Sequence, residues 1–456
     1  MNHKPGKTSV RSMTSGSILK QIILFSLPLM LGNIFQMLYN TVDSIVVGNY
    51  VGKEALAAVG STTVIINMLV FFFNGFSIGA GVVIGFHFGA KNYRELHTSV
   101  ETTLTSTFIL SVLFTIAGVL LVRPMLRFMS TPEDVLDEAT TYLTIYFAGL
   151  SGLLIYNIGS GILRAVGDTF RPLLFLILTS ILNIVLDLLF VLVFRAGIAG
   201  VAYATIISQF ISAFLVILLL TRTHDIYRFS FRDMQLHFPT LKRIFSVGMP
   251  AAIQSVITSL SNIFVQSYIN FFGSSCMAGW SCYNKLDSFV MLPMQSMAMA
   301  ATTFVSQNIG ARQEERASRG TTTVVLTALV VTGFIVLVLF LFAPQSVGLF
   351  TSDASVIDFG VLFLRTNIFF TLFNCINHVL AGALRGRGDS KGPMVIMLLS
   401  FVAIRQTYLY VLTRFISNTP KWVGFGYPVG WTCCCIIELS YYFFYFQKSQ
   451  RKKALS

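Results

Sequence analysis

Four acidic side chains stand where acids are rarely found. Asp43, Asp187, Asp287 and Glu438 lie inside long apolar stretches, while the other fifteen of nineteen acids fall in tails, loops or the ends of such stretches. A carboxylate at the centre of a bilayer costs about 3 kcal/mol or more unless it is paired or holds an ion. Gln36 precedes Asp43 by seven residues and Asn183 precedes Asp187 by four, so each couple shares one helical face. Carboxylate and amide oxygens suit a hard cation such as sodium. The same carboxylates carry protons where burial disfavours their charge. The two readings of this set are therefore a coupling-ion site, for sodium or protons, and a satisfied polar core.

The second half of the chain has its own interior charges: Lys285, Asp287, Arg405 and Glu438. They sum to zero, so mutual pairing is expected, with a substrate or proton role as the alternative. Lys285 and Asp287 are two apart and do not face each other on one helix. The nearby segment "MLPMQSMAMA" brings Met291 and Met294 beside Pro293. Methionine adapts to many ligand shapes and is equally an ordinary packing residue. Pro28 and Pro250 each interrupt an apolar stretch and are candidate hinges.

These residues need elements that hold them in a membrane. The 456 residues are 54% hydrophobic and 11% charged, with mean hydropathy +0.74. That is too little charge to cover a soluble surface of this size. Twelve apolar runs are long enough to cross a core of about 30 Å as helices: 18–48, 56–88, 97–122, 139–162, 172–194, 197–221, 243–272, 276–309, 318–343, 358–383, 393–416 and 425–447. The expected fold class is an all-α polytopic membrane protein. The first seventeen residues are polar and basic and lack the pattern of a signal peptide, so helix 1 is the expected insertion signal. Six cysteines show no zinc-like or disulfide-like spacing and read as free, packed thiols. The net charge of +13 is distributed by side: one set of loops and both tails hold 23 Lys and Arg, the opposite loops seven, and helix interiors two. This bias predicts cytoplasmic termini in the plasma membrane and argues against a nucleic-acid partner.

The chain also repeats itself. "LRAVGDTFRP" (163–172) returns 221 positions later as "LRGRGDSKGP" (384–393), and "LPLMLGNIFQMLYN" (27–40) faces "MPAAIQSVITSLSN" (249–262) at an offset of 222. An even number of helices per half makes the halves parallel repeats. The predicted organisation is a tail (1–17), a six-helix bundle (18–221), a linker (222–242), a second bundle (243–447) and a basic tail (448–456). The repeated motif reads as punctuation between helices. Gly167 and Gly388 allow a left-handed stop. Asp168-Thr169 and Asp389-Ser390 supply capping oxygens, and Pro172 and Pro393 fit a first turn.

The motifs "NTVDSIVVGNYVGKEALAAVG" (40–60), "GFHFGAKN" (85–92), "LRAVGDTFRP" with its copy, and "ILNIVLDLLFV" (181–191) together make the chain resemble the multidrug and toxic compound extrusion (MATE) family. The resemblance covers roughly residues 18–447. It implies twelve transmembrane helices in two parallel-repeat six-helix bundles around a central cavity. It also implies a secondary antiporter that exports amphipathic, often cationic compounds in exchange for sodium ions or protons. Asp43, Asn157, Asn183, Asp187 and Thr205 match polar positions of the family's N-terminal bundle, as does Gln36, and the resemblance implies that they converge there. No basic residue is evident beside Asp43 and Asp187 in helices 1, 4, 5 or 6. The second half does not repeat this set: Val265, His378, Ile404 and Tyr408 stand opposite Asp43, Asn157, Asn183 and Asp187. A flippase for a lipid-linked precursor is the alternative, but only Lys285 and Arg405 are basic deep in the apolar segments. No nucleotide-binding or catalytic motif suggests an enzyme, no cofactor is expected, and a monomer is favoured.

Overall fold

A computed structural model describes residues 12–129 and 131–454. Most of the predicted tail 1–17, Ser130 and residues 455–456 lie outside the described residues. In a bilayer every backbone N–H and C=O must be satisfied within the segment, which leaves the helix as the element this apolar chain can form. Helices 1 to 6 are Ile18–Val46, Lys53–Gly89, Tyr93–Phe128, the pair Glu133–Ala148 and Leu150–Ala165, Phe170–Leu188, and Gly197–Arg222. Helices 7 to 12 are Phe238–Asn270, Ser274–Gly310, Glu314–Leu341, the pair Ala354–Asn367 and Thr371–Gly386, the run from Lys391 to Ile416, and Gly426–Ala454.

Among the described residues, ten of these are individually long and apolar enough to cross a membrane, and the two parts of helix 4, bent by 48°, make an eleventh. The bend sits at Gly149, where a Cβ would come within 2.2 Å of the Ile206 side chain. Helix 12 is less apolar than the rest because Glu438, Ser440, Tyr441 and Tyr442 interrupt it. The lipid-facing stripes are visible in the exposure pattern. Helix 3 buries Ser99, Thr103 and Ser106 and exposes Ile109, Val112, Leu113, Ile116 and Leu120. Helix 9 exposes Leu326, Val330, Phe334 and Leu337. Apolar residues face outward at helical spacing, as a hydrocarbon surround requires.

The chain divides into two compact units: unit 1 contains Leu27–Met249, and unit 2 contains Thr14–Ser26 with Pro250–Ser456. These differ from sequential bundles at 18–221 and 243–447. The first turns of helix 1 belong to unit 2, where Arg316 of helix 9 donates to the Gly16 carbonyl at 2.9 Å and to Gln21 Oε1 at 3.1 Å. The first turns of helix 7 belong to unit 1, where Phe245 packs 5.2 Å from Phe76 and Arg243 lies 4.9 Å over Phe86. The changeovers fall between Ser26 and Leu27, one residue before Pro28, and between Met249 and Pro250, inside their helices.

The repeated motif builds the same corner in both units. Gly167 and Gly388 have φ of +90° and +89°. The amides of Asp168 and Asp389 donate back to Leu163 and Leu384 at 2.9 and 3.0 Å. Their carboxylates accept from the amides of Arg171 and Gly392 at 3.2 and 3.0 Å. Thr169 and Ser390 contribute no side-chain cap, so the aspartates alone do this work. Five of the six cysteines are buried, all in unit 2.

Candidate functional site

Unit 1 contains a cavity of about 120 Å³ lined by helices 1, 4, 5 and 6. Helix 1 contributes Pro28, Gly32, Gln36 and Tyr39; helix 4 contributes Asn157 and Arg164; helix 5 contributes Asn183; helix 6 contributes Thr205 and Gln209. Four of the sequence-predicted residues therefore share one space: Gln36, Asn157, Asn183 and Thr205. Asn157 and Thr205 are partly committed to their own helices, donating to the carbonyls of Leu153 at 2.9 Å and Val201 at 3.0 Å.

Asp43 and Asp187 lie beside this cavity rather than in its wall. Asp187 is fully buried, and neither of its carboxylate oxygens has a hydrogen-bond partner among the described residues. Asn183, one turn earlier, is 3% exposed with both amide atoms unpartnered. Asp43 also has a buried oxygen without a partner, and its charge acts on Asp187. Three side chains thus present orphaned buried oxygens, a donor set suited to a hard monovalent cation or a proton. Both acids precede a π-helical stretch, Val47–Val51 and Leu189–Val193, where the helix is locally widened.

Spacing did not reveal the tyrosines. Tyr142 lies within electrostatic reach of both Asp43 and Asp187, Tyr39 within reach of Asp43, and Tyr142 stacks on Tyr146 at 6.4 Å. The signal available was Tyr142 and Tyr146 at i, i+4 in helix 4. Arg164 was also missed as a cavity residue. Arg164, at the end of helix 4, lines the cavity, while no basic side chain among the described residues acts on Asp43 or Asp187. A helix-terminal position reads equally as a dipole partner, which hid it.

The interior charges of unit 2 do not pair with one another. Among the described residues, no ion pair within 4.0 Å joins Lys285, Asp287, Arg405 or Glu438. Lys285 is exposed and lies 5.3 Å over the Phe350 ring. Arg405, 1% exposed, donates to Ser261 Oγ and Asn262 Oδ1, both at 3.2 Å, and lies between the rings of Phe401 and Tyr427 at 4.4 and 4.8 Å. Hydrogen bonds and aromatic faces replace the carboxylate that the charge sum suggested. Asp287 acts on Tyr283 and Tyr427, and Glu438 is fully buried within reach of Arg385. Met294 is fully buried in the core of unit 2, while half-buried Met291 accepts a weak bond from Asn374 at 3.4 Å.

A sequence profile of the MatE family matches residues 28–189 and again 250–411. The chain belongs to the MatE family. The two matches are the two repeats, each beginning at its proline. MatE members are efflux transporters, and this one is a multi-span membrane protein. The chain is 31% identical over 413 residues to the probable multidrug resistance protein YpnP of Bacillus subtilis, covering 91% of this chain and 92% of that one. It is 26% identical over 422 residues to the probable multidrug resistance protein NorM of Thermotoga maritima, covering 89% of each. Its fold matches a MATE crystal structure in the straight conformation, with TM-score 0.90, 25% identity, and 96% and 98% of the two chains covered. A MATE structure in the bent conformation matches with TM-score 0.91 at 24% identity, covering 97% and 98%.

Proposed function

We propose that this MatE protein is a secondary antiporter of the plasma membrane, with cytoplasmic termini. It exports amphipathic compounds against sodium ions or protons. The observation that carries the reading is one cavity bordered by two mutually repelling acids, Asp187 buried and Asp43 half-buried, with no cation paired to either among the described residues. Two such carboxylates cannot both remain bare, so a proton or sodium ion neutralises one of them. Asp43, Asn183 and Asp187 supply the oxygens, with Asn157 and Thr205 on the cavity side. Gln36 and the apolar wall of helices 1 and 5 receive the compound.

Helix 1 links the two events. It bears Asp43, carries Pro28 and Gln36 in the cavity wall, and changes unit between Ser26 and Leu27, next to Pro28. Neutralising the acids lets helix 1 bend at Pro28, which narrows the cavity and weakens its hold on the compound. Relatives solved in bent and straight conformations support a hinge of this kind. Pro250 is the corresponding hinge of helix 7.

Linkage requires that a bound compound weaken the ion by the same factor as the ion weakens the compound. Equilibrium binding of a fluorescent cation to the purified protein, across sodium and pH series, tests this. Affinity is expected to fall as sodium rises or pH falls, and Asp43→Asn to remove that dependence while retaining binding. Wild-type affinity that is flat in both series rejects the coupling.

A further inference from the structure

Arg164 and its copy Arg385 occupy the same place in the repeat and have different company. In unit 2, Arg385 Nη1 donates to Gln254 Oε1 at 2.9 Å, and Gln254 Nε2 in turn donates to Met397 Sδ at 2.8 Å. Buried Glu438 of helix 12 adds its charge. Gln254 thus links Arg385 to helix 11 and is itself buried.

In unit 1 each of these partners is missing. Gly32 stands opposite Gln254 and Leu176 opposite Met397, and helix 6 contains no acid. Gly32, Leu176 and Arg164 instead line the open cavity. A Cβ at Gly32 would meet Leu176 at 3.5 Å and Leu173 at 3.7 Å, ordinary contacts, so the space is one a side chain could occupy. The acid nearest in sequence, Asp168, is engaged by Arg171, through the amide at 3.2 Å and Nη1 at 3.4 Å. Tyr156, beside Arg164, donates its hydroxyl to the Pro172 carbonyl at 3.1 Å. The Arg164 guanidinium makes no hydrogen bond or ion pair with any described side chain.

We propose that Arg164 is an anion subsite of the unit 1 cavity, left free by Gly32, and that it receives the carboxylate of an amphipathic substrate. The inference rests on the reading of that cavity as the substrate site and adds a substrate class to it. A planar guanidinium offers two parallel donors to a carboxylate, and a single guanidinium balances a single negative charge. The acids bordering the cavity leave room for a cationic group on the same molecule, so zwitterions and carboxylate-bearing cations are the class selected.

The test is a matched pair of dyes: rhodamine 110, with a free carboxylate, and rhodamine 123, its methyl ester. Binding to the purified full-length protein in nanodiscs is followed by fluorescence anisotropy. Arg164→Gln is expected to weaken rhodamine 110 about tenfold or more, the scale of a charge-assisted hydrogen bond, and to leave rhodamine 123 nearly unchanged. Arg164→Lys, which keeps the charge and guards against misfolding, is expected to retain part of the preference. Equal loss of both dyes, or no loss of rhodamine 110, in a variant that still binds rhodamine 123 overturns the anion subsite alone. Binding of neither dye to the wild type overturns the substrate-site reading together with it.

Discussion

In unit 1, Asp187 is fully buried and both of its oxygens lack hydrogen-bond partners among the described residues. At the same place in unit 2 stands Tyr408, whose hydroxyl donates to the Trp422 carbonyl at 3.0 Å. The difference recurs across the repeat. Asn183 with its free amide faces Ile404, and Gly32 in the cavity wall faces the buried Gln254. The corner motifs, by contrast, match in bond pattern and in glycine φ. A duplicated helical scaffold keeps what closes its backbone hydrogen bonds, because an unsatisfied group in hydrocarbon is costly in either unit. Side-chain oxygens facing an interior space carry no such constraint, and one copy is free to lose them.

The largest effect expected from this asymmetry is on coupling. Asp187→Asn should abolish ion-driven export, a loss of at least about tenfold on the scale of a coupling free energy. Tyr408→Phe should leave most of the activity, since it removes only a neutral hydroxyl bond. Efflux from proteoliposomes under imposed sodium and pH gradients, at matched protein levels, distinguishes them. Equal loss in the two variants would mean that both units share the coupling work.

A second contrast concerns packing. Gly161 and Gly382 are repeat partners at helix crossings, but a Cβ at Gly382 would lie 2.3 Å from the Ala298 carbonyl oxygen, whereas at Gly161 it would lie 2.2 Å from Ser77 Oγ. A backbone atom cannot step aside, and a serine hydroxyl can rotate. Gly382→Ala is therefore expected to cost about 1–3 kcal/mol, the usual range for overpacking, and Gly161→Ala clearly less. Thermal unfolding in detergent reads both, and a larger drop for Gly161→Ala would contradict the crossing geometry.

The smallest effect is at a helix start. Asp353 caps the helix that begins at Ala354, accepting from the Ser355 hydroxyl at 2.7 Å and the amides of Ser355 and Val356 at 2.8 and 3.4 Å. The corresponding position in unit 1 is Pro132, which offers no side-chain cap. The Ser355 hydroxyl, followed by the two amides, holds the Asp353 carboxyl below its ordinary range. A depressed carboxylate stabilises the folded state above its unfolded value of about 3.9, and that contribution fades as pH falls through the lower native value. Asp353→Ala should give a small drop in unfolding temperature at pH 7 that shrinks in acid. A drop independent of pH would assign the effect to the hydroxyl and not to the charge.

The helices, the duplication and the corners were legible in the chain itself because each depends on neighbours in sequence. Apolar runs set the spans, and a Gly-Asp couple followed by a proline within four residues sets the stop and restart. The couples Gln36 with Asp43 and Asn183 with Asp187 follow from helical spacing alone. Which faces meet is a different matter. Packing brought Tyr39 and Tyr142 to the acids, turned Arg164 into the cavity, and gave Arg405 two aromatic rings where a carboxylate was expected. It also assigned the first turns of helices 1 and 7 to opposite units, against the order of the chain. A helix fixes the angle between its own side chains, but the rotation of that helix against its neighbours is set by contacts between residues far apart in sequence.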